Sequence, residues 1–293
     1  VKDEIKTRSL LDAFDWDRLE RVVVLSPHID DGILSCAGLL SALDGLAPRL
    51  VVTLYCGNPE LPDHGEARPT GRRRTRRGHA PPSVRRKEDI AVMRYLDCDW
   101  VHLGFAEAIY RRSPTMGRLI YQHPRQKWTR PNVADAAHIE EVFLVLRRLC
   151  RDMGPRLLFT PIGIGHHVDH RICAMTALRL ADRQTRIVFY EDFPYVIGKG
   201  AGSGDDDDPA SALARLGLIP TRRYFVPANT KRQAKALSLY ASQIRPLFGS
   251  MAKMREAVEA RTYRGQPSEF FWSARPPQTV GGNDGDHEKD RRG

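Results

Sequence analysis

Short β-branched runs alternate along this chain with longer runs whose apolar residues recur at helical spacing. Arg21–Ser26 (RVVVLS), Arg49–Cys56, Trp100–Leu103, Arg156–Pro161 (RLLFTP) and Ile187–Asp192 (IVFYED) read as buried strands. Between them, Ile33–Leu43 reads as an apolar helix and Ala134–Arg151 as an amphipathic one. Ser83 is expected to cap a helix that carries Val84, Ile90, Val92, Met93 and Leu96, and another helix should run through Ile172, Ala174, Ala177, Leu178 and Ala181. Two further helices are expected near Lys231–Ile244 and Ser250–Ala260, before a last apolar patch at Phe270–Trp272. The alternation predicts an α/β, Rossmann-like fold: a mostly parallel sheet flanked by helices.

Three stretches interrupt the pattern. Residues 57–82 form a Pro, Gly and Arg-rich loop of a length that usually marks a lid or binding loop. Residues 104–132 mix aromatic and basic side chains without periodicity and should be irregular, and the Gly/Asp segment 198–209 should be mobile. These breaks sit inside one unit, giving an N-terminal extension at 1–18, a single domain at 19–273 and a disordered tail at 274–293. At 293 residues the chain is long enough to bury a full core.

Composition narrows the class. No apolar run reaches the ~20 residues of a membrane span, and the charged N-terminal stretch has no apolar signal core, so a cytoplasmic chain is expected. Five cysteines, odd in number and set in apolar segments, read as reduced core thiols rather than a disulfide framework. The net charge of +10 raises nucleic acid as a partner. Its densest block, Arg72, Arg73, Arg74, Arg76 and Arg77, lies in the aperiodic loop, where like charges repel and stay solvated, and this weighs against that partner.

Two polar clusters follow strands. PHIDDG joins the first strand to its helix, and GIGHHVDH follows RLLFTP. Ligands of open α/β sheets collect outside the carboxyl ends of strands, which is where both clusters fall. Two histidines and a carboxylate, with a fourth position left for water, form a common catalytic zinc set. A tight turn can aim His28 and Asp31 at one point while Asp30 points elsewhere. His167 and His170, three apart at a helix start, share a face, so one can bind metal while the other meets substrate. Each residue taken singly also fits a helix cap or a strand-end histidine, but two such clusters together are hard to assign to caps.

PHxDD at Pro27–Asp31 and HxDH at His167–His170 resemble the LmbE-like, or PIG-L-like, zinc-dependent N-deacetylases. RRKED at Arg85–Asp89, AIYR at Ala108–Arg111, YEDFPY at Tyr190–Tyr195 and YASQ at Tyr240–Gln243 add weaker support. The resemblance implies zinc (Zn2+) on His28, Asp31 and His170, with Asp30 as general base. It implies His167 as oxyanion or leaving-group partner, Asp169 as the residue orienting His167, and Arg85 as a substrate contact, with Arg86 its rival. Whether Asp30 or His167 protonates the leaving amine stays open. The family form HPDDE reads HIDDG here, which weakens a match to the thiol-cofactor branch and leaves the ligands intact. The expected partner is a small-molecule N-acetylated amino sugar or glycoconjugate, in a tailoring step of antibiotic biosynthesis; a thiol-cofactor or lipid-linked glucosamine is the alternative. A homo-oligomer is compatible with the sequence. A nucleic-acid-binding protein using the Arg block, or a metal-free binding module, are the non-enzymatic readings.

Overall fold

The computed structural model describes residues 5–19, 21–57, 80–153, 157–198 and 208–277. The Arg72–Arg77 block and nearly all of the 57–82 loop, most of 198–209 and residues 278–293 lie outside the described residues.

The strands are β1 (Thr7–Ser9), β2 (Val22–Ser26), β3 (Arg49–Thr53), β4 (Asp99–His102), β5 (Leu157–Pro161), β6 (Arg186–Tyr190), β7 (Ile219–Pro227), β8 (Thr262–Tyr263) and β9 (Gln266–Arg275). They form one sheet in the order β1-β7-β9-β6-β5-β2-β3-β4, with β8 paired to β9. The run from β4 to β6 is parallel throughout, and β1 pairs parallel with β7. β9 runs antiparallel to β6, β7 and β8, so the sheet is mixed at that side.

The helices are α1 (Asp31–Ala42), α2 (Pro82–Leu96), α3 (Ala136–Met153), α4 (Val168–Leu178), α5 (Pro209–Arg215), α6 (Thr230–Ser238), α7 (Ala241–Phe248) and α8 (Met251–Glu259). Alternate residues of β2 feed opposite faces, as the strand period requires. Val22 and Val24 join the core shared with α1, α2, α6, α7 and α8, while Val23 and Leu25 join the core shared with α3 and α4. At the far end of the sheet from the clusters, buried Arg49 donates to the carbonyls of Leu40 (2.8 Å), Leu96 (3.2 Å) and Asp97 (3.0 Å) and to Asp44 (2.8 Å), tying the ends of α1 and α2 to β3.

The expected strands and the first four helices are present, with shifted ends. α2 starts at Pro82, which suits a first helical position, so Ser83 lies inside the first turn instead of capping it. The helix expected over Lys231–Ile244 is two, α6 and α7, separated at Leu239–Tyr240. β9 continues through Arg275, two residues into the stretch expected to be tail, because β7 supplies it a partner for eight register pairs. β1 brings part of the N-terminal extension into the sheet, and Leu10 just after it is fully buried.

Candidate active site

The strand order reverses between β2 and β5: from β2 the chain winds outward through β3 and β4, and from β5 it winds the other way to β6. The crevice at such a switch point is the favoured ligand site of an open α/β sheet. PHIDDG leaves β2 here and GIGHHVDH leaves β5.

Ser26 shapes the first turn. Its hydroxyl donates to the carbonyl of His28 and accepts the N–H of Gly32 at 2.8 Å. In the second turn, Gly165 takes φ +81°, and a Cβ there would stand 2.9 Å from the Tyr195 ring. Any larger residue would therefore push Tyr195 out of the crevice.

Asp31 Oδ2 lies 2.9 Å from His28 Nδ1 and 3.0 Å from His170 Nε2. The far nitrogen of each ring meets another carboxylate. His28 Nε2 is 3.0 Å from Asp169 Oδ2, and His170 Nδ1 is 2.6 Å from Asp192 Oδ1. Asp192 is itself held by the N–H groups of Gly163 (2.9 Å) and Ile164 (3.1 Å). Buried His170 Nε2 makes no hydrogen bond of good geometry among the described residues, despite its proximity to Asp31. Ligand nitrogens of His28, His167 and His170 all lie within 4.8 Å of one another.

Five buried carboxylates, Asp30, Asp31, Asp135, Asp169 and Asp192, crowd around the histidines and two buried guanidiniums, Arg85 and Arg111. Burial alone would lower the histidines, but Asp31 and Asp169 hold His28 up at about 9, and Asp31 and Asp192 hold His170 up at about 10. Against its own burial, Asp31 is held well below the usual carboxylate range by His170 and His28. These groups attract positive charge, and their donors are the imidazoles and carboxylate that suit a borderline divalent ion. Together with the unsatisfied nitrogen, they mark a metal site.

Asp30 does not cap α1 with its side chain; its Oδ1 accepts from Arg85 Nη2 at 2.9 Å. Burial raises the Asp30 pKa against the pull of Arg85. Arg85, expected to contact substrate, is buried and paired with both Asp30 and Glu107 (3.3 Å). Arg86 instead donates to the carbonyl of Cys56 at 2.5 Å.

His167 is the N-cap of α4, with Nδ1 accepting the Asp169 N–H at 3.2 Å, so in the neutral ring the proton sits on Nε2. Burial, reinforced by His28 and His170, holds it well below the usual histidine range. Asp169, expected to orient His167, stands 3.9 Å from its ring and contacts His28 at 3.0 Å instead. Topology explains the difference: a helix N-cap turns the His167 side chain back onto its own backbone, leaving the Asp169 carboxylate to reach across to His28 in the turn after β2.

Sequence reasoning gave no role to Trp128, Tyr195, Asp192, Arg111 or Asp135. Trp128 ends a short 3-10 helix (Pro124–Trp128) in the otherwise irregular 104–132 stretch. Its ring meets His167 edge-on at 4.8 Å and Tyr195 at 6.0 Å, and Tyr195 meets His170 at 5.6 Å, forming an aromatic wall beside the histidines. The available signals were a tryptophan in a basic aperiodic stretch and the AIYR and YEDFPY strings.

The fold and this cluster define a hydrolase-type metal site at the switch point of an α/β sheet. Residues 23–181 match the PIG-L family, described as GlcNAc-PI de-N-acetylase, and the chain belongs to that family. It is an enzyme of the N-deacetylase class. It is 28% identical over 236 residues to a 2'-N-acetylparomamine deacetylase of Streptomyces fradiae, spanning 77% of this chain and 74% of that protein. A protein of the same name from Niallia circulans is 30% identical over 188 residues, 58% of this chain and 66% of its own. The structure is also similar to a zinc-inhibited form of teicoplanin deacetylase, with TM-score 0.69 and 26% identity, covering 90% of this chain and all of that one (100%).

Proposed function

We propose that this protein is a zinc-dependent hydrolase that removes an N-acetyl group from an amino sugar carried by an antibiotic-like glycoconjugate. The observation that carries the reading is the pairing of the histidines. His28 and His170 each turn one nitrogen toward Asp31 and give the other to a carboxylate, the arrangement that fixes metal-ligating imidazoles. This favours His28, Asp31 and His170 as the ligands. His167, with no carboxylate closer than 3.9 Å among the described residues, is left to face substrate. When bound, the metal supplies a water acidified toward pKa ~7 and polarises the amide carbonyl.

The remaining chemistry falls to the chain's own side chains. Asp30, kept near Arg85, takes the proton of the attacking water. Neutral His167 donates its Nε2–H to the oxygen that becomes negative as the carbonyl carbon turns tetrahedral, a contact typically worth ~3 kcal/mol. A neutral imidazole is a poor acid, so the proton for the departing amine comes from Asp30, whose raised pKa suits a group that takes and returns a proton. Trp128 and Tyr195 offer an apolar wall to the sugar ring.

The relatives support the substrate class: the curated ones act, by name, on 2'-N-acetylparomamine, and the structural one is a teicoplanin deacetylase. No described helix is long and apolar enough to cross a membrane. The test is acetate release from a panel of N-acetylated aminoglycosides, glycopeptides and simple sugars, alongside elemental analysis. Stoichiometric zinc with release from a glycoconjugate supports the reading; a protein without bound metal, or release confined to free N-acetylglucosamine, refutes it.

A further inference from the structure

Asp169, in the first turn of α4, is fully buried, and both of its carboxylate oxygens are engaged. Its Oδ1 takes Arg111 Nη1, and its Oδ2 takes the Ala108 N–H at 3.0 Å and faces His28 Nε2 at 3.0 Å. Arg111 is held in turn. Its Nε donates to Asp135 Oδ1 at 3.0 Å and its Nη2 to Asp135 Oδ2 at 3.3 Å, the forked geometry that only a guanidinium provides. Nη1 also reaches the Ala106 carbonyl at 3.3 Å. Asp135, just ahead of α3 and fully buried, accepts the Tyr121 hydroxyl as well. The guanidinium lies between the rings of Tyr55 (5.3 Å) and Tyr121 (5.5 Å).

We propose that Arg111 and Asp135 are positioning residues for the metal site: by clamping Asp169, they fix the His28 ring with Nδ1 toward the metal. The inference rests on the metal-site reading above. Arg111 has its fork committed inside the protein, so it serves the site through Asp169 and not by touching substrate. Loss of such outer partners typically weakens metal binding roughly 10- to 100-fold.

The test uses the full chain and a chromophoric chelator competing for zinc. Arg111→Lys keeps the charge and loses the fork, Asp135→Asn keeps the shape and loses the charge, and Tyr121→Phe removes one hydroxyl while sparing the ion pair. Arg49→Lys is the control, a buried arginine of the same kind at the opposite end of the sheet. Expected are a roughly 10- to 100-fold rise in zinc dissociation constant for Arg111→Lys and Asp135→Asn and a several-fold rise for Tyr121→Phe. Arg49→Lys should lower the melting temperature and leave zinc affinity at the parental value. If the first two fail to fold, Tyr121→Phe decides. Parental affinity in the variants overturns the inference alone, as does equal weakening in Arg49→Lys. A parental chain that binds no zinc overturns the metal-site reading and this inference with it.

Discussion

Replacing Asp30 with asparagine separates metal binding from proton transfer. Asp30 is 4% exposed, and its Oδ1 pairs with Arg85 at 2.9 Å, not with a histidine of the cluster. The asparagine would retain the volume and an oxygen able to accept from Arg85, while Arg85 keeps Glu107 at 3.3 Å. Exchanging the charged acceptor for a neutral one should cost about 1–2 kcal/mol of stability, a drop of a few degrees in melting temperature for a domain of this size. Catalysis should suffer far more. Loss of a general base typically costs roughly 10²–10⁴ in kcat, or about 3–5 kcal/mol of barrier. The assay follows acetate release under saturating substrate, with zinc measured by elemental analysis on the same preparation. Asp30→Asn should hold parental zinc and lose turnover, whereas His170→Ala should lose zinc as well. Turnover of Asp30→Asn within about threefold of the parent would refute the assignment of the base.

Three further outcomes are expected. Trp128→Ala should raise KM roughly 2- to 10-fold with kcat near parental, because an aromatic contact worth about 0.5–1.5 kcal/mol acts on bound substrate and transition state alike; an unchanged KM counts against the sugar wall. Gly38→Ala places a Cβ 2.9 Å from Glu269 Cδ inside α1 and should cost about 1–3 kcal/mol, visible by calorimetry as a lower melting temperature, and an unchanged value would contradict the packing. Burial pushes the Glu269 carboxyl up from 4.5 to about 7, against the N–H groups of Gly38 and Leu39. Because the folded value is the raised one, this group's stabilisation is complete below pH 4.5 and is lost as pH rises through about 7, by roughly 3 kcal/mol. Denaturant titrations should show that fall in the parent and not in Glu269→Gln; parallel curves would exclude it.

The site was legible where its members are close in sequence and sit at strand ends. His28, Asp30 and Asp31 share one turn, and His167 and His170 share another, so strand periodicity and local spacing were enough to bring them forward. Asp192 and Arg111 escaped because their meaning is a distance across the fold: Asp192 meets His170 from the end of β6, and Arg111 meets Asp169 from an irregular stretch. The contact of the Asp169 carboxylate with His28 was hidden for a related reason, since adjacency to His167 in sequence says nothing about which ring its oxygens reach. In the fold, β2, β3 and β5 announced themselves as short, largely apolar runs, buried along their whole length. β7 did not, because its sequence, IPTRRYFVP, is mostly polar or half-exposed over its first half and pairs far away in sequence with β9. A strand whose partner is remote carries little local signature.

The two carboxylates behind His28 and His170 also bear on which ion the protein carries in a cell. Each ring is already anchored at its outer nitrogen, so an arriving ion need not recruit the ligands or pay to order them. Preformed nitrogen and oxygen donors do not by raw affinity single out zinc, because affinities at such sites follow the Irving–Williams order, in which copper outranks it. The choice between zinc and its neighbours therefore passes from the protein to the cell's free-metal supply, and enzyme drawn from differently supplemented cultures should carry different ions in the same unaltered cradle.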